Sequence, residues 1–269
     1  MAIDEVNGLK LFYELVGDGD PVVLVHGSWG DHHVWDLVSS GLAARFRVLT
    51  YDRRGHSQSE ASPGQGHLDQ DVADLAGLIE TLDLAPAHVA GNSLGSIISL
   101  RLASRRPELF RTLTVHEPPA LPLLDSDPEM RPMVEAVGER IASIAGMLES
   151  GDIPGGTRRF VEDMMGASWD EFPPPAKETF LRNALTWLDE VREGYPQGLT
   201  IDLQALAGYT GLALLTQGDQ SPPFFGAVLD KVATALPQAK RHTYSGAGHN
   251  PHMTNPDEYA RTFRSFVGA

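Results

Sequence analysis

The run Ala87-His88-Val89-Ala90-Gly91-Asn92-Ser93-Leu94-Gly95 decides how this chain folds. Residues 87–90 form a short apolar stretch of the kind buried on both faces of a sheet, and residues 94–105 carry a helical pattern. Between them, Gly91-x-Ser93-x-Gly95 fits a tight strand-to-helix turn. The glycines permit that turn, which lifts the Ser93 hydroxyl clear of the sheet. The positive end of the following helix then favours negative charge developing beside it. A serine presented this way is a candidate nucleophile.

Outward from this turn the same alternation continues. Residues 9–16 read as a strand, Gly17-Asp18-Gly19-Asp20-Pro21 as a turn, and 22–25 as a buried strand. Residues 34–44 look helical and 47–50 extended; in 69–82, Val72, Leu75, Leu78, Ile79 and Leu82 share one helix face. A strand at 113–115 ends this half. Such alternation predicts a parallel sheet covered by helices.

The rhythm breaks after Glu117, where Pro118, Pro119, Pro122 and Pro128 lead out of the sheet layer. Residues 121–204 are helical in pattern, with interruptions at 151–156 and at Pro173-Pro174-Pro175. Met130, Met133, Met147, Met164, Met165, Trp169 and Trp187 lie in this segment. Alternation resumes with a strand at 212–216, a helix at 224–236, a strand at 241–244 and a helix at 256–267. The expected architecture is an α/β core domain of residues 1–120 and 205–269, with residues 121–204 inserted as a helical cap.

Composition narrows the function. The 269 residues carry a formal charge of −15, which repels phosphate backbones and anionic lipid. Arg53-Arg54, Arg105-Arg106 and Arg158-Arg159 are isolated pairs, so neither nucleic acid nor a membrane surface is an expected partner. No segment approaches the roughly 18 apolar residues of a membrane span. With no cysteine there is no disulfide, thiolate metal site or cysteine nucleophile. The acidic N-terminus lacks a secretory pattern, and a reducing cytoplasm is the expected location.

A serine hydroxyl needs a base. Among ten histidines, His249 is best placed, because Gly246-Ala247-Gly248-His249-Asn250-Pro251 lies between the last strand and the last helix. Small residues there let the loop swing the imidazole back over the sheet; His252, further along, is the rival. His26 is expected to support its own loop. His32, His33, His67, His88 and His242 are read as surface or helix-end residues. His32-His33 near Asp31 and Asp36 lack a His-Glu-x-x-His spacing, so no metal or cofactor is expected. His26-Gly27-Ser28-Trp29-Gly30 follows the strand at 22–25 and suits a loop that donates a backbone N–H to an oxyanion. Ser28 is the first choice there and Trp29 the alternative; the N–H of Leu94 is the second donor.

These residues carry a resemblance. His26 to Gly30, Asp52-Arg53-Arg54-Gly55-His56-Ser57-Gln58-Ser59, Gly91 to Gly95, and Gly248-His249-Asn250-Pro251 with Pro256 beyond it resemble, in order, the motifs of the α/β-hydrolase superfamily. The resemblance implies an α/β-hydrolase fold, a mostly parallel sheet flanked by helices with an inserted helical cap. It also implies a Ser93–His249–carboxylate triad. The 52–59 stretch looks like the family's structural turn and is assigned no chemistry.

Two acids compete for the third place. The family usually draws an aspartate from the loop after its seventh strand, here Gln217-Gly218-Asp219-Gln220-Ser221. The common spacing puts two residues between glycine and aspartate, whereas Asp219 follows Gly218 directly and Ser221 occupies the acidic position. Glu117, 24 residues after Ser93, ends the strand beside the nucleophile strand. Certain dehalogenases and fungal zearalenone lactonases take their acid there. The runs His116-Glu117-Pro118-Pro119 and Ser221-Pro222-Pro223-Phe224-Phe225 resemble those lactonases further. Glu117 is therefore favoured, with Asp219 the alternative.

The reaction implied is hydrolysis of a carboxylic ester or lactone of a hydrophobic small molecule, a zearalenone-type lactone being one candidate. Trp29, Met133, Met164 and Trp187 are expected to line its pocket, since flexible thioethers adapt to bulky apolar ligands. Carbon–carbon bond hydrolysis, perhydrolysis or a hydrolase-like receptor would keep the same serine; each differs in what the site accepts.

Overall fold

The computed structural model describes residues 1–268. Its strands are β1 (Ala2–Val6), β2 (Leu9–Val16), β3 (Asp20–Val25), β4 (Phe46–Tyr51), β5 (Ala87–Asn92), β6 (Phe110–His116), β7 (Leu212–Gly218) and β8 (Lys240–Tyr244). They form one sheet in the order β1-β2-β4-β3-β5-β6-β7-β8. Only the β1–β2 and β2–β4 pairings are antiparallel; every pairing from β4 through β8 is parallel. The helices are α1 (Asp36–Leu42), α2 (Leu68–Thr81), α3 (Leu94–Arg105), α4 (Arg131–Glu149), α5 (Ile153–Asp163), α6 (Pro174–Arg192), α7 (Leu203–Leu206), α8 (Pro223–Ala235), α9 (Pro251–Thr254) and α10 (Pro256–Val267). Among the described residues, no helix is long and apolar enough to cross a membrane.

The continuous apolar run in β3 follows from burial on both faces. Val22 and Leu24 join a core with Trp35, Tyr259 and Phe263, while Val23 and Val25 face a separate core with Leu75, Ile97 and Leu113. Alternate side chains point to opposite faces, so both faces must be apolar. Fully burying each such side chain contributes about 1.5–3 kcal/mol.

Helices α4, α5 and α6 lie between β6 and β7, and α6 is fastened to the loops after β3 and β4. The buried Asn183 amide donates to Gly30 O at 2.9 Å and to Trp29 O at 3.2 Å, and its Oδ1 accepts from Ser57 N at 2.9 Å. Thr186 Oγ1 donates to Gly55 O at 2.6 Å. These polar bonds give α6 one register over the sheet, which apolar packing alone would leave looser.

Three elements differ from expectation. β1 is an added, largely exposed strand, closed onto β2 by Asn7-Gly8 with φ values of 51° and 78°. Two consecutive positive φ angles are what a two-residue hairpin of this kind requires, and Asn-Gly is its usual sequence. Gly155 and Gly156 lie in the first turn of α5 and do not interrupt it, because Asp152 caps the helix by accepting from Gly155 N at 3.0 Å. A Cβ on Gly156 would stand 2.6 Å from Leu148 Cδ2, so the glycine lets α5 approach α4. Finally, β6 runs past residue 115 to His116, which brings Glu117 to its tip.

Candidate active site

Ser93 stands between β5 and α3 with φ 53° and ψ −123°, a strained conformation for a residue with a side chain. Such a conformation costs of order 1–3 kcal/mol and persists only where the surroundings impose it. They do so here. Ser93 N donates to His116 O at 2.9 Å, and Gly91 and Gly95 pack closely on either side. A Cβ on Gly95 would meet Val25 O at 2.2 Å, and one on Gly91 would meet Gly95 O at 2.3 Å. Gly95→Ala should therefore push α3 off β3 and destabilise the fold by at least about 1–3 kcal/mol, read from urea denaturation. An unchanged midpoint would show that the contact yields without cost.

His249 reaches the same cleft from the loop after β8. Its ring stacks on Phe225 of α8, 4.7 Å between centroids and 17° between planes. Its Nδ1 lies 2.7 Å from Glu117 Oε2. Glu117 is fully buried, has φ 47°, and its Oε1 accepts from Gly218 N at 2.7 Å. Burial works to raise the Glu117 carboxyl. The hydrogen bond with His249, the nearby imidazoles and the Gly218 N–H together hold it below the usual carboxylate range.

Asp219 lies elsewhere. It is exposed, with Oδ1 accepting from Gly246 N at 2.8 Å and Oδ2 from Ser245 Oγ at 3.2 Å. It ties down the loop that carries His249 and leaves the imidazole to Glu117.

Ser93, Leu94, Ser28 and His249 line one cavity of about 170 Å³, walled by apolar side chains such as Leu121, Ile141, Phe160, Met164, Trp187 and Phe224. No hydrogen bond joins Ser93 Oγ to His249 among the described residues. Before substrate binds, such pairs are commonly long and poorly aligned. Gly27 backs directly onto the serine, since a Cβ there would stand 2.9 Å from Ser93 Cβ. Leu94 opens α3, where the first N–H groups have no intrahelical acceptor.

Of the four residues read as pocket-lining, the structure puts Met164 and Trp187 on this cavity wall and Trp29 and Met133 away from it. Trp29 is fully buried one layer behind it, stacked on Phe160 at 4.4 Å and packed on Trp187 at 5.2 Å. Met133 packs against the hydrophobic core instead of the cleft.

The histidines also need correction. His32 is buried with Nδ1 2.6 Å from Asp52 Oδ1, and His88 is buried on β5 beside Thr112 Oγ1 at 2.9 Å. His32 is a helix-end residue, the first of a short 3-10 helix (His32–Trp35), though buried; His88 is neither a surface nor a helix-end residue. His26 supports its loop: Nδ1 donates to Gly27 O at 2.7 Å and Nε2 accepts from Arg53 N at 3.0 Å. His252 is buried and lines the cleft, with its ring 4.3 Å from that of Trp35.

Two clusters have the residue types of a metal site, Asp31-His32-Asp52 and His116-Glu117-His249. In the first, His32 and Asp52 bond each other and Asp31 accepts from Ser57 Oγ at 2.8 Å. In the second, both Glu117 oxygens already have partners. Hydrogen bonding accounts for the first arrangement and for Glu117 and His249 in the second, where His116 Nε2 has no hydrogen-bond partner among the described residues.

A salt-bridge network not anticipated from the sequence borders the cleft. Ser28 Oγ donates to Glu190 Oε2 at 2.6 Å, and Glu190 Oε1 accepts from the buried Arg53 guanidinium at 2.5 Å. Arg53 also reaches Asp71 at 3.3 Å, whose carboxyl burial pushes up to about 7. Glu190 lies on α6, 137 residues from Arg53, so no local pattern links the two. Leu94, Glu190 and Leu199 are shared by the cleft and a second cavity of about 350 Å³ behind it.

The sequence profile of the alpha/beta hydrolase family matches residues 22–262. The chain belongs to the alpha/beta hydrolase family. Among curated family members, it is 32% identical over 270 residues to the pimeloyl-[acyl-carrier protein] methyl ester esterase of Chromobacterium violaceum, covering 94% of this chain and 96% of that one. It is 38% identical over 122 residues to the uncharacterized hydrolase YraK of Bacillus subtilis, covering 45% of each. Against YraK and several other curated relatives, the alignment spans less than half of the relative's length. The alpha/beta hydrolase fold is matched along its whole length by the Bacillus megaterium epoxide hydrolase, with a TM-score of 0.84, 20% identity and 100% coverage of both chains.

Proposed function

We propose that this chain is a serine hydrolase that cleaves a carboxylic ester or lactone of a hydrophobic small molecule through an acyl-enzyme. The observation that carries the proposal is the 2.7 Å contact from His249 Nδ1 to the buried Glu117 carboxylate, in the same cleft as the strained Ser93. Ser93 Oγ attacks the carbonyl carbon while His249 Nε2 takes its proton, and Glu117 stabilises the imidazolium. The N–H groups of Ser28 and Leu94 hold the oxyanion, aided by the positive end of α3. His249 then protonates the leaving alkoxide. Water, deprotonated by the same imidazole, releases the acid and restores Ser93. Residues 121–204 act as the cap over the core formed by 1–120 and 205–269, and supply Phe160, Met164 and Trp187 to the substrate. The apolar wall and the esterase named among the relatives support an apolar ester or lactone.

A fluorophosphonate probe tests the nucleophile. Labelling is expected on Ser93 alone, located by peptide mass. A panel of p-nitrophenyl esters and aromatic lactones should then give turnover, with a burst of p-nitrophenol stoichiometric with enzyme when ester is in excess. Absence of both labelling and turnover would sink the proposal.

A further inference from the structure

The hydrolytic scheme leaves one buried imidazole beside the acid without a task. His116, the last residue of β6, is fully buried. Its Nδ1 lies 2.9 Å from Thr216 Oγ1 on β7. Its Nε2 lies 3.6 Å from Glu117 Oε2 and has no closer hydrogen-bond partner among the described residues. Tyr244 of β8 and His249 face the ring, with centroids 5.9 Å and 6.2 Å away. His252 of α9 also acts on it.

Counting protons selects one form of this ring. Burial lowers the His116 pKa to about 3, so the ring is neutral and carries one N–H. The Thr216 hydroxyl also has one proton, with two acceptors in reach: His116 Nδ1 and Val115 O, the latter at 3.1 Å. If Nδ1 held the ring proton, the bare Nε2 lone pair would face a carboxylate oxygen in a dry interior. With the proton on Nε2, Thr216 can donate to Nδ1 and the N–H faces the carboxylate. The second arrangement takes the Thr216 proton from Val115 O, a neutral carbonyl, whereas the first opposes a lone pair to an anionic carboxylate; the second is the less costly.

We propose that His116 is a positioning residue, the neutral Nε2–H tautomer, whose N–H faces the Glu117 carboxylate and so holds acid and base in register. The inference rests on Glu117 and His249 acting as the acid and base proposed above. His116 touches no substrate; it acts by fixing the carboxylate that orients His249.

Nitrogen-15 correlation spectra of histidine-labelled protein test the tautomer directly. They should give His116 as neutral and Nε2-protonated from about pH 5 to 9. His116→Phe should lower kcat about 10- to 100-fold with KM changed less than about twofold, a typical loss for a group that orients a reacting residue. It should also move the acid limb of the kcat profile upward, because the carboxylate holds a proton more readily without its donor. His116→Gln, whose amide N–H can face the same carboxylate, should recover most of the loss. Thr216→Ser should match wild type while Thr216→Val falls toward His116→Phe; the threonine pair carries the test if His116→Phe fails to fold. An Nδ1-protonated ring, or a His116→Phe enzyme with wild-type kcat and acid limb, overturns the inference. Full activity of Glu117→Gln would sink the acid assignment beneath it, whereas an active His116→Phe beside a dead Glu117→Gln sinks this inference alone.

Discussion

Replacing Ser93 with alanine is expected to lower turnover of an ester substrate by about 10⁴- to 10⁶-fold while leaving the fold intact. The hydroxyl makes no hydrogen bond among the described residues, so its removal strands no buried partner. The strained backbone at φ 53° is imposed by the Gly91 and Gly95 contacts and by the Ser93 N to His116 O bond, all of which alanine keeps. The denaturation midpoint should stay at the wild-type value, and a product or unreactive ester analogue should still bind. Because nucleophile and base act as one unit, the double variant Ser93→Ala, His249→Ala should be little slower than either single variant. Losses that multiplied would mean that the two side chains serve separate steps. A Ser93→Ala enzyme with more than about a tenth of wild-type activity would remove the serine from the chemistry altogether.

How much of this was legible beforehand depends on how local each cause is. The β5–Ser93–α3 unit can be read because its glycines, apolar strand and helix follow one another within residues 87–105. The parallel sense of β3 to β8 follows from strand-helix alternation, since parallel neighbours need crossover connections, but the position of β3 between β4 and β5 does not. β1 was equally local, yet its exposed, acidic face hides the alternation, and only Asn7-Gly8 announced the hairpin. His32 and His88 look like surface residues in sequence. Their burial depends on partners, Asp52 and Thr112, that the fold delivers from 20 and 24 positions away. The choice between Glu117 and Asp219 was open for the same reason: the deciding contact spans 132 residues. Trp29 was legible as a neighbour of the cleft, but which layer its ring enters is set by α5 and α6. The Ser28–Glu190–Arg53 network left no trace, because its members occur once each at unrelated places in the chain.

The two candidate acids can be separated by single isosteric changes. Glu117→Gln should lower kcat by about 10⁴-fold. The Gln carbonyl can still accept from Gly218 N, as Glu117 Oε1 does at 2.7 Å, which turns the amide N–H toward His249 Nδ1. That N–H needs a lone pair on Nδ1 and so drives the imidazole proton to Nε2, the atom that must receive the serine proton. Asp219→Asn lacks this effect. Its side-chain oxygen can still accept from Gly246 N, and the Ser245 hydroxyl can rotate to accept from the new amide, so activity should stay within about threefold of wild type. Stability against pH gives a second reading of the same carboxylate. Glu117 is held below its unfolded value, so its stabilising contribution is complete above the ordinary carboxylate range and is lost as pH falls through the lower folded value. Wild type should therefore lose part of its margin over Glu117→Gln between neutral pH and strongly acidic pH, measured as urea midpoints. The opposite pattern of activities, with Asp219→Asn dead and Glu117→Gln active, would require the loop after β7 to rearrange during catalysis so that Asp219 exchanges its bonds to Ser245 and Gly246 for one to the imidazole.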